Sequence, residues 1–397
     1  MQLSQKIGKI EESVTLSITA KAGRLKAEGK DVISFGAGEP DFNTPDNIIN
    51  KAIEAMQQGY TKYTPSSGIA PLKSALAEKF RKDNGLNYQP SQIVVSTGGK
   101  QSLNNAFSAI LNPGDEVLIP SPYWVSYPEL VKLSDGIPVL VETSAATGYK
   151  MTVDLLEGMV TPNTRAIIVN SPGNPTGSVY SAAELRAIAD FAQRHDLYII
   201  SDEMYEKLVY DDVRHVSIAS LSEDAYGRTI TVNGVSKAYS MTGWRIGYCA
   251  ADEKIVKLMS NLQSHTTSNP CSISQYAALE AIAGDQTKVE EMRQEFARRK
   301  DLIMELADGI PGVSYIKPEG AFYLMLNVAG LFGKAYGSKT IHSGMDFSEV
   351  LLNEKLVAVV PGEAFGDKEF VRLSYATSKS NIEEGLNRIK ALVLELK

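Results

Sequence analysis

Apolar and polar positions recur up to about residue 247 in a way that predicts repeated strand–helix units. Short apolar runs typical of buried strands fall at 93–96, 117–119, 138–141, 166–169, 197–200 and 229–232. Stretches with helical spacing separate most of them, at 101–111, 127–134 and 183–195. Such repeats indicate an α/β fold in which helices cover both faces of a mainly parallel sheet.

Flanking segments follow other patterns. Thr44-Pro45-Asp46 supplies an N-cap, a first-turn proline and an early acid, which predicts a helix to residue 56, and another helix is predicted at 69–83. Beyond Gly247, helical stretches at 253–265, 272–283 and 287–306 precede strands at 322–326, 357–359 and 371–374 and a helix at 381–396. This change indicates a second, smaller α+β domain. The glycine-rich, non-periodic segment 330–344 is predicted to be a mobile surface loop.

Composition narrows the class of protein. The chain has 397 residues, of which 43% are apolar and 22% charged, and its net charge is −7, as in an ordinary soluble enzyme. The sequence has no basic block that would predict nucleic-acid binding. It also has no apolar run that approaches the roughly 18 residues of a membrane span. The N-terminus is polar and lacks a signal-peptide pattern, and the two cysteines are expected to be reduced core residues. Both features predict a cytoplasmic protein. The four histidines lack ligand spacing, so no metal site is expected.

One lysine has the surroundings that Schiff-base chemistry needs. Ser236-Lys237 follows the apolar run 229–232, and Arg245 stands eight residues later. A lysine supplies the imine nitrogen, and an arginine can hold the phosphate of a cofactor. A Ser-Lys pair alone is more often a solvated surface feature, so the prediction depends on the residues described next.

Two strand ends add polar groups. Asp202 closes the run that begins at Tyr198, where ligands gather in open α/β sheets, although a helix N-cap is the alternative. Asn174 lies in a rigid turn of the sequence Ser-Pro-Gly-Asn-Pro-Thr-Gly after the preceding strand, and an ordinary loop is the alternative. Asp202, Asn174, Lys237 and Arg245 each have a structural alternative, but their joint presence favours one shared binding site.

A third element can bind an anion. Gly98-Gly99-Lys100-Gln101 opens a predicted helix, so backbone N–H groups and the helix dipole can meet a phosphate, while a plain glycine turn is the alternative. Gln101 stands where a P-loop requires Ser or Thr, and Gly36-Ala37-Gly38 lacks the third glycine of a dinucleotide fingerprint. A nucleotide-binding oxidoreductase is therefore disfavoured.

These motifs resemble those of the fold-type I pyridoxal-phosphate enzymes of the class I/II aminotransferases, and within them the bacterial aspartate aminotransferases of subgroup Ib. The resemblance runs nearly end to end. It rests on the motifs above and on further stretches at 35–42, 63, 121–124, 318–323, 360–363 and 371–376. It implies pyridoxal 5'-phosphate as cofactor and a ping-pong transfer of the amino group from an amino acid, aspartate first, to 2-oxoglutarate.

The resemblance also implies roles for individual residues. Lys237 would form the Schiff base and then move the proton from the substrate's Cα, and Asp202 would pair with the pyridine N–H. Tyr205 and Asn174 would bind the phenolic oxygen. Trp124 would stack on the ring unless it is a core residue. The phosphate would be held by Gly99, Lys100, Ser236, Arg245 and, from a neighbouring subunit, Tyr63.

Substrate binding is implied in the same way. Arg372 would bind the α-carboxylate with help from the Gly38 N–H, next to Trp124 and Asn174. Lys100 would bind a distal carboxylate, with a phosphate or surface role as the alternative. Many relatives have a serine where this chain has Gly234, which leaves one phosphate contact in doubt. A homodimer with shared sites follows from Tyr63, and the domains are expected at 46–290 (large, cofactor-binding) and at 1–45 with 291–397 (small).

Alternative functions remain open at this point. The same scaffold serves aromatic, alanine and prephenate aminotransferases and C–S lyases. Prephenate-active relatives can have a basic residue near the N-terminal helix, where this chain has Glu11-Glu12, so prephenate is mildly disfavoured. A transcriptional regulator on this scaffold would need a DNA-binding extension, for which we expect no room.

Overall fold

The computed structural model describes residues 3–12 and 14–397. Its strands, in chain order, are β1 Ile33–Ser34, β2 Ile93–Ser96, β3 Glu116–Ser121, β4 Ile137–Glu142, β5 Thr164–Asn170, β6 Tyr198–Asp202, β7 Thr229–Gly234, β8 Gly247–Ala250, β9 Ser314–Tyr315, β10 Tyr323–Asn327, β11 Ala335–Tyr336, β12 Lys339–Thr340, β13 Val357–Ala358, β14 Val360–Pro361 and β15 Phe370–Ser374. The six apolar runs predicted before residue 247 are all strands.

The α-helices surround two main sheets. They are α1 Val14–Ala27, α2 Asp46–Gln57, α3 Ala70–Asn84, α4 Gly99–Ile110, α5 Ser126–Leu133, α6 Val153–Glu157, α7 Ala182–Arg194, α8 Glu223–Arg228, α9 Glu253–Thr266, α10 Ser272–Ala283, α11 Thr287–Asp308, α12 Gly344–Lys355 and α13 Lys379–Glu395. Within the described residues, none of them is long and apolar enough to cross a bilayer.

The large sheet has seven strands in the order β2-β8-β7-β6-β5-β3-β4. All neighbours pair in parallel except β8, which runs antiparallel to β7 and β2. The connection 235–246 contains no crossover helix, and a parallel return would need one. The predicted mainly parallel sheet is confirmed, and the sequence pattern missed β8.

Alternate residues of the inner strands face opposite cores, which explains their continuous apolar runs. Ile168 and Ile200 belong to the core that packs against α4, whereas Ile167 and Ile199 belong to the core that packs against α7. Both faces of the sheet are therefore buried, and its carboxyl edge is left to accept polar groups.

A smaller antiparallel sheet, β14-β15-β10-β9, lies in the C-terminal part of the chain. The N-terminal segment contributes β1, which pairs in parallel with β13. Helix α11 touches two cores: Val289 packs in the core of α2, α3 and α10, and Phe296 packs beneath the small sheet.

Two local predictions, on Thr44 and Cys271, are wrong, and the loop predicted at 330–344 contains a hairpin. Thr44 does not cap α2, because its hydroxyl donates to the Ser240 carbonyl at 2.6 Å. The segment 330–344 is not irregular throughout, since β11 and β12 form a short hairpin that exchanges backbone hydrogen bonds with Lys397. Cys271 is an exposed residue at the start of α10, and only Cys249 of the two cysteines lies in the core.

Candidate active site

Lys237 follows β7, and its side chain enters a cavity of about 380 Å³ at the carboxyl edge of the large sheet. Its ammonium donates a hydrogen bond to the carbonyl of Gly38. Burial, aided by the guanidinium groups of Arg372 and Arg245, lowers the pKa of Lys237 to about 8, although Glu39 acts in the opposite direction. A substantial fraction of the amine is therefore neutral near pH 8 and can act as a nucleophile or base.

Asp202, the last residue of β6, presents a buried carboxylate to the same cavity. Burial raises its pKa to about 6, despite hydrogen bonds from the Tyr127 hydroxyl at 2.7 Å and the Met204 N–H at 3.2 Å. Among the described residues, no lysine or arginine forms an ion pair with it. A buried acid with this environment is suited to a cationic partner.

The turn after β5 is fixed by side-chain amides. Asn170 accepts a 2.8 Å hydrogen bond from the Asn174 N–H and donates one of 3.0 Å to the Asp202 carbonyl. Because Asn170 and Asp202 are paired across β5 and β6, this network joins the two strand ends. Asn174 therefore has a defined position in the cavity wall, as the sequence predicts.

The predicted anion-binding elements lie together. Gly98 has φ +83° and precedes α4, and a Cβ there would lie 2.3 Å from the Arg245 guanidinium, so only glycine allows this approach. Arg245 itself has φ +56° and donates to the Thr242 carbonyl at 2.8 Å. Ser236 lines the cavity beside them. The helix N-terminus and the guanidinium form a cradle suited to a phosphate.

Arg372 also lines the cavity and is buried between two aromatic rings. Its guanidinium carbon lies 4.3 Å from the ring centroid of Tyr323 and 4.8 Å from that of Phe365. It donates to Asn174 Oδ1 at 2.9 Å and to the Gly36 carbonyl at 3.2 Å, and its buried Nε has no partner. In the described part of the chain no carboxylate pairs with this cation, so it can receive one from a ligand.

Lys100 and Trp124 lie over the cavity. The Lys100 ammonium is 5.2 Å from the centroid of the Trp124 ring. Burial lowers the pKa of Lys100, with a further contribution from Arg245. Trp124 is only partly buried and contacts Tyr127 edge-on at 5.3 Å, so one face of its ring is not enclosed by the core.

All predicted site residues except one line this cavity: Gly38, Gly99, Lys100, Trp124, Asn174, Asp202, Tyr205, Ser236, Lys237, Arg245 and Arg372. Tyr63 does not line it, and 91% of its surface is exposed in the single chain. Tyr127 and Tyr323, which contact Asp202 and Tyr205, are not predicted from the sequence. Tyr323 belongs to a motif that had been recognised, but nothing local indicated where its hydroxyl points.

A second buried polar cluster lies behind Asp202. Ligand atoms of Glu203, Glu206 and His215 lie within 4.8 Å of one another. Lys79 forms an ion pair with Glu206, and attraction from Lys79, foremost among the nearby cations, lowers the pKa of this buried carboxyl to about 2. Lys79 is thus a partner for Glu206 within the protein, and His215 Nε2 lies 3.1 Å from the Glu203 carboxylate.

Comparison with known proteins identifies relatives over the full chain. Residues 30–389 match the family model "Aminotransferase class I and II". The chain is 51% identical to an aspartate aminotransferase of Bacillus sp. (strain YM-2), covering 98% of this chain and 99% of the relative. It is 49% identical to an aspartate/prephenate aminotransferase of Cereibacter sphaeroides, covering 98% of both. The crystal structure of the aspartate aminotransferase from Rhizobium meliloti superposes with a TM-score of 0.97 at 46% identity, covering all of both chains.

Proposed function

Because this chain belongs to the class I and II aminotransferases, we propose that it transfers the amino group of L-aspartate to 2-oxoglutarate with pyridoxal 5'-phosphate, in a ping-pong cycle. The observation that supports this best is the set of unpaired charges around one cavity. Among the described residues, the buried carboxylate of Asp202 forms no ion pair with a lysine or arginine and the buried cation of Arg372 has no carboxylate partner, and both line the cavity that Lys237 enters.

The cavity fits pyridoxal phosphate. Asp202 would bind the ring nitrogen, Tyr205 and Asn174 the phenolic oxygen, and Trp124 one face of the ring. The phosphate would be bound by residues of the cradle at the start of α4, namely Gly99, Ser236 and Arg245, with Lys100 as a fourth partner if it does not bind the substrate. When bound, the cofactor supplies an electron sink for the electrons left at the substrate's Cα after deprotonation.

Lys237 performs the proton transfer in this proposal. Its lowered pKa provides a neutral amine near pH 8, and its flexible stem can move the nitrogen between the cofactor's aldehyde carbon and the substrate. Positioned proton transfer contributes about 10²–10⁴-fold to the rate. Asp202 would keep the ring nitrogen protonated, because a carboxylate attracts a cation strongly in a low-dielectric environment.

Arg372 would bind the substrate's α-carboxylate through two parallel N–H bonds, assisted by the Gly38 N–H. This binding would orient the Cα–H bond toward Lys237. Lys100 would bind the distal carboxylate of aspartate or 2-oxoglutarate, and Trp124 and Asn174 would contact the substrate. The names of the relatives support a dicarboxylic substrate.

The purified protein tests this proposal directly. It should contain stoichiometric pyridoxal phosphate and be yellow, and borohydride should link the cofactor to the peptide that contains Lys237. Steady-state rates with aspartate, alanine, phenylalanine and glutamate as donors should favour aspartate and glutamate. Labelling of another lysine, or a preference for alanine or phenylalanine, would contradict the assignment.

Prephenate is the second candidate acceptor, because relatives at 48–49% identity are named aspartate/prephenate aminotransferases. Glu11 and Glu12 are exposed and Glu11 lies against Glu129, to whose carboxylate its N–H donates at 3.1 Å. Because prephenate-active relatives can have a basic residue there and this chain has two glutamates instead, we expect prephenate to be converted more slowly than 2-oxoglutarate.

We also propose that the protein is a cytoplasmic homodimer with two domains in each subunit. An aromatic residue as exposed as Tyr63 fits a homodimer in which it reaches the phosphate of the partner's site. We propose domains at 46–290 and at 1–45 with 291–397, a division that falls inside α11. Two free cysteines fit a reducing cytoplasm, which cell fractionation tests.

A further inference from the structure

Tyr323 connects two parts of the site that the reaction uses separately. It is the first residue of β10, is buried, and lines the cavity. Its hydroxyl lies 2.8 Å from the hydroxyl of Tyr205, and either oxygen can be the donor. Its ring lies on the guanidinium of Arg372, 4.3 Å from the carbon. The inference drawn from this contact rests on the proposed function.

The direction of the tyrosine pair follows from counting protons. Each phenol has one proton to donate. If Tyr205 donates to the phenolic oxygen of the cofactor, it can only accept from Tyr323. In the described residues, Tyr323 is the only group recorded in a hydrogen bond with the Tyr205 hydroxyl. Burial raises the pKa of Tyr323, and Arg372 beside its ring acts in the opposite direction by stabilising negative charge on its oxygen.

The ring of Tyr323, apart from its hydroxyl, contacts Arg372. Arg372 is held between this ring and that of Phe365, and its Nη atoms are tied to Asn174 and Gly36. The β10–β15 pairing fixes the two residues relative to each other, since Met325 lies opposite Arg372 and Tyr323 opposite Ser374. A guanidinium stacked on a flat ring keeps its N–H edge in one plane.

We propose that Tyr323 is a positioning residue: its hydroxyl donates to Tyr205, so that the Tyr205 proton points to the cofactor, and its ring holds Arg372 in the plane that receives the substrate carboxylate. The hydroxyl and the ring of Tyr323 therefore have different functions that can be tested separately. Removal of the hydroxyl alters the cofactor's electronic state, and removal of the ring alters carboxylate affinity.

The hydroxyl is tested with Tyr323→Phe in the holoenzyme. A weaker hydrogen bond from Tyr205 leaves more negative charge on the phenolic oxygen, which holds the proton on the adjacent Lys237 nitrogen more tightly. The pH midpoint of the cofactor's absorbance change should therefore rise by roughly 0.3 to 1. Tyr375→Phe is the matched control: Tyr375 is also buried, its hydroxyl donates to the Ala321 carbonyl at 3.3 Å, and it does not line the cavity.

The ring is tested by the affinity of succinate, a dicarboxylate that cannot react. Tyr323→Leu should weaken its binding roughly 2- to 30-fold, the range expected for a lost cation–π contact, whereas Tyr323→Phe should change it less than 2-fold. Equal losses in both variants would overturn the separation of hydroxyl and ring. An unchanged absorbance midpoint in Tyr323→Phe would overturn the role of the hydroxyl.

The same experiments distinguish an error in the proposed function from an error in the role of Tyr323. If the unmodified protein bound no pyridoxal phosphate, no absorbance change would exist to titrate in any variant. If it bound the cofactor and transaminated aspartate while Tyr323→Phe titrated like Tyr375→Phe, only the inference about Tyr323 would be wrong.

Discussion

The hydroxyl of Tyr127 donates a 2.7 Å hydrogen bond to the Asp202 carboxylate, and this bond only partly compensates for the burial of that acid. Burial still raises the pKa of Asp202 to about 6, from an ordinary value of 3.8. The carboxylate therefore destabilises the cofactor-free protein near neutral pH, and a cationic ligand would remove this penalty.

Asp202→Asn should stabilise the cofactor-free protein while it weakens catalysis. The difference of about 2 between folded and unfolded pKa corresponds to roughly 1–3 kcal/mol of unfolding free energy above pH 6. Because the pKa is raised in the folded state, the penalty lessens as the pH falls from 6 toward 3.8. Thermal unfolding of both cofactor-free proteins should show a higher Tm for the variant at pH 7.5 and a smaller difference at pH 4.5.

Tyr127→Phe is the companion variant for this prediction. Loss of the hydroxyl should raise the Asp202 pKa above 6, so cofactor affinity should begin to fall at a higher pH than in the unmodified protein. Equal stability of the Asp202→Asn and unmodified proteins at pH 7.5 would show that the buried carboxylate is compensated by contacts other than those described.

The lowered pKa of Lys237 predicts how the cofactor-free protein reacts with aldehydes. Only the neutral amine is a nucleophile, so reductive methylation of Lys237 by formaldehyde should speed up as the pH rises and level off above about 8. Glu39→Gln should move this midpoint to lower pH, because the Glu39 carboxylate raises the Lys237 pKa. Peptide mass spectrometry measures the rate, and a midpoint above 10 would indicate an unperturbed lysine.

Lys100→Ala should alter the preference between donors. A charge-assisted hydrogen bond is worth roughly 1.5–3 kcal/mol, so kcat/KM for aspartate and 2-oxoglutarate should fall about 10- to 150-fold. Alanine and phenylalanine, which lack a distal carboxylate, should be little affected. Lys100→Met retains much of the apolar stem over Trp124 and separates charge from packing. A similar loss with every donor would assign Lys100 to the phosphate or to the fold.

Tyr63 should act across a subunit interface. Mixing Tyr63→Ala with Lys237→Ala, after dissociation and reassociation, should produce hybrid dimers with one intact site each. Random pairing in a two-fold dimer would restore about a quarter of the activity of the unmodified protein. Light scattering checks the dimer, and a fully active monomer would contradict shared sites.

Gly234→Ser should be destabilising in this chain, although the family resemblance implies a serine at this place. A Cβ at Gly234 would lie 3.0 Å from Met204 Cε and 3.1 Å from the Ile246 carbonyl oxygen, and the carbonyl belongs to backbone that cannot yield easily. Overpacking of this kind costs about 1–3 kcal/mol. Gly234→Ala is the matched control. If the serine hydroxyl binds phosphate, cofactor affinity should be higher in Gly234→Ser than in Gly234→Ala.

Much of the site could be predicted because it is built from strand ends and turns whose signals are local. Asp202 and Asn174 each follow a strand pattern, and the glycines before Lys100 mark a helix start. Parallel strands bring such ends to one edge, so the order of the runs already implied one cavity. The family resemblance added Arg372 and Tyr63, which no local pattern would have selected.

The missed features depend on contacts between distant residues. Tyr127 lies 75 residues from Asp202, and Tyr323 lies 118 residues from Tyr205, so their hydrogen bonds have no spacing signature. Strand β8 has only four residues after an irregular turn, and its pattern does not differ from that of a loop. Cys271 was assigned to the core from residue type alone, but its place at the start of α10 exposes it.

Helix α11 packs in two cores and can therefore transmit a rotation of one core relative to the other. Its 22 residues form a rod roughly 33 Å long, with Val289 anchored at one end and Phe296 and Ile303 beneath the small sheet. Arg299, on the same helix, forms a 2.7 Å ion pair with Asp41, three residues from Gly38 in the cavity wall. A tilt of about 5° about Val289 would move Arg299, roughly 15 Å along the helix, by about 1.3 Å, so a small rotation between the sheets would shift the cavity wall by about half the length of a hydrogen bond.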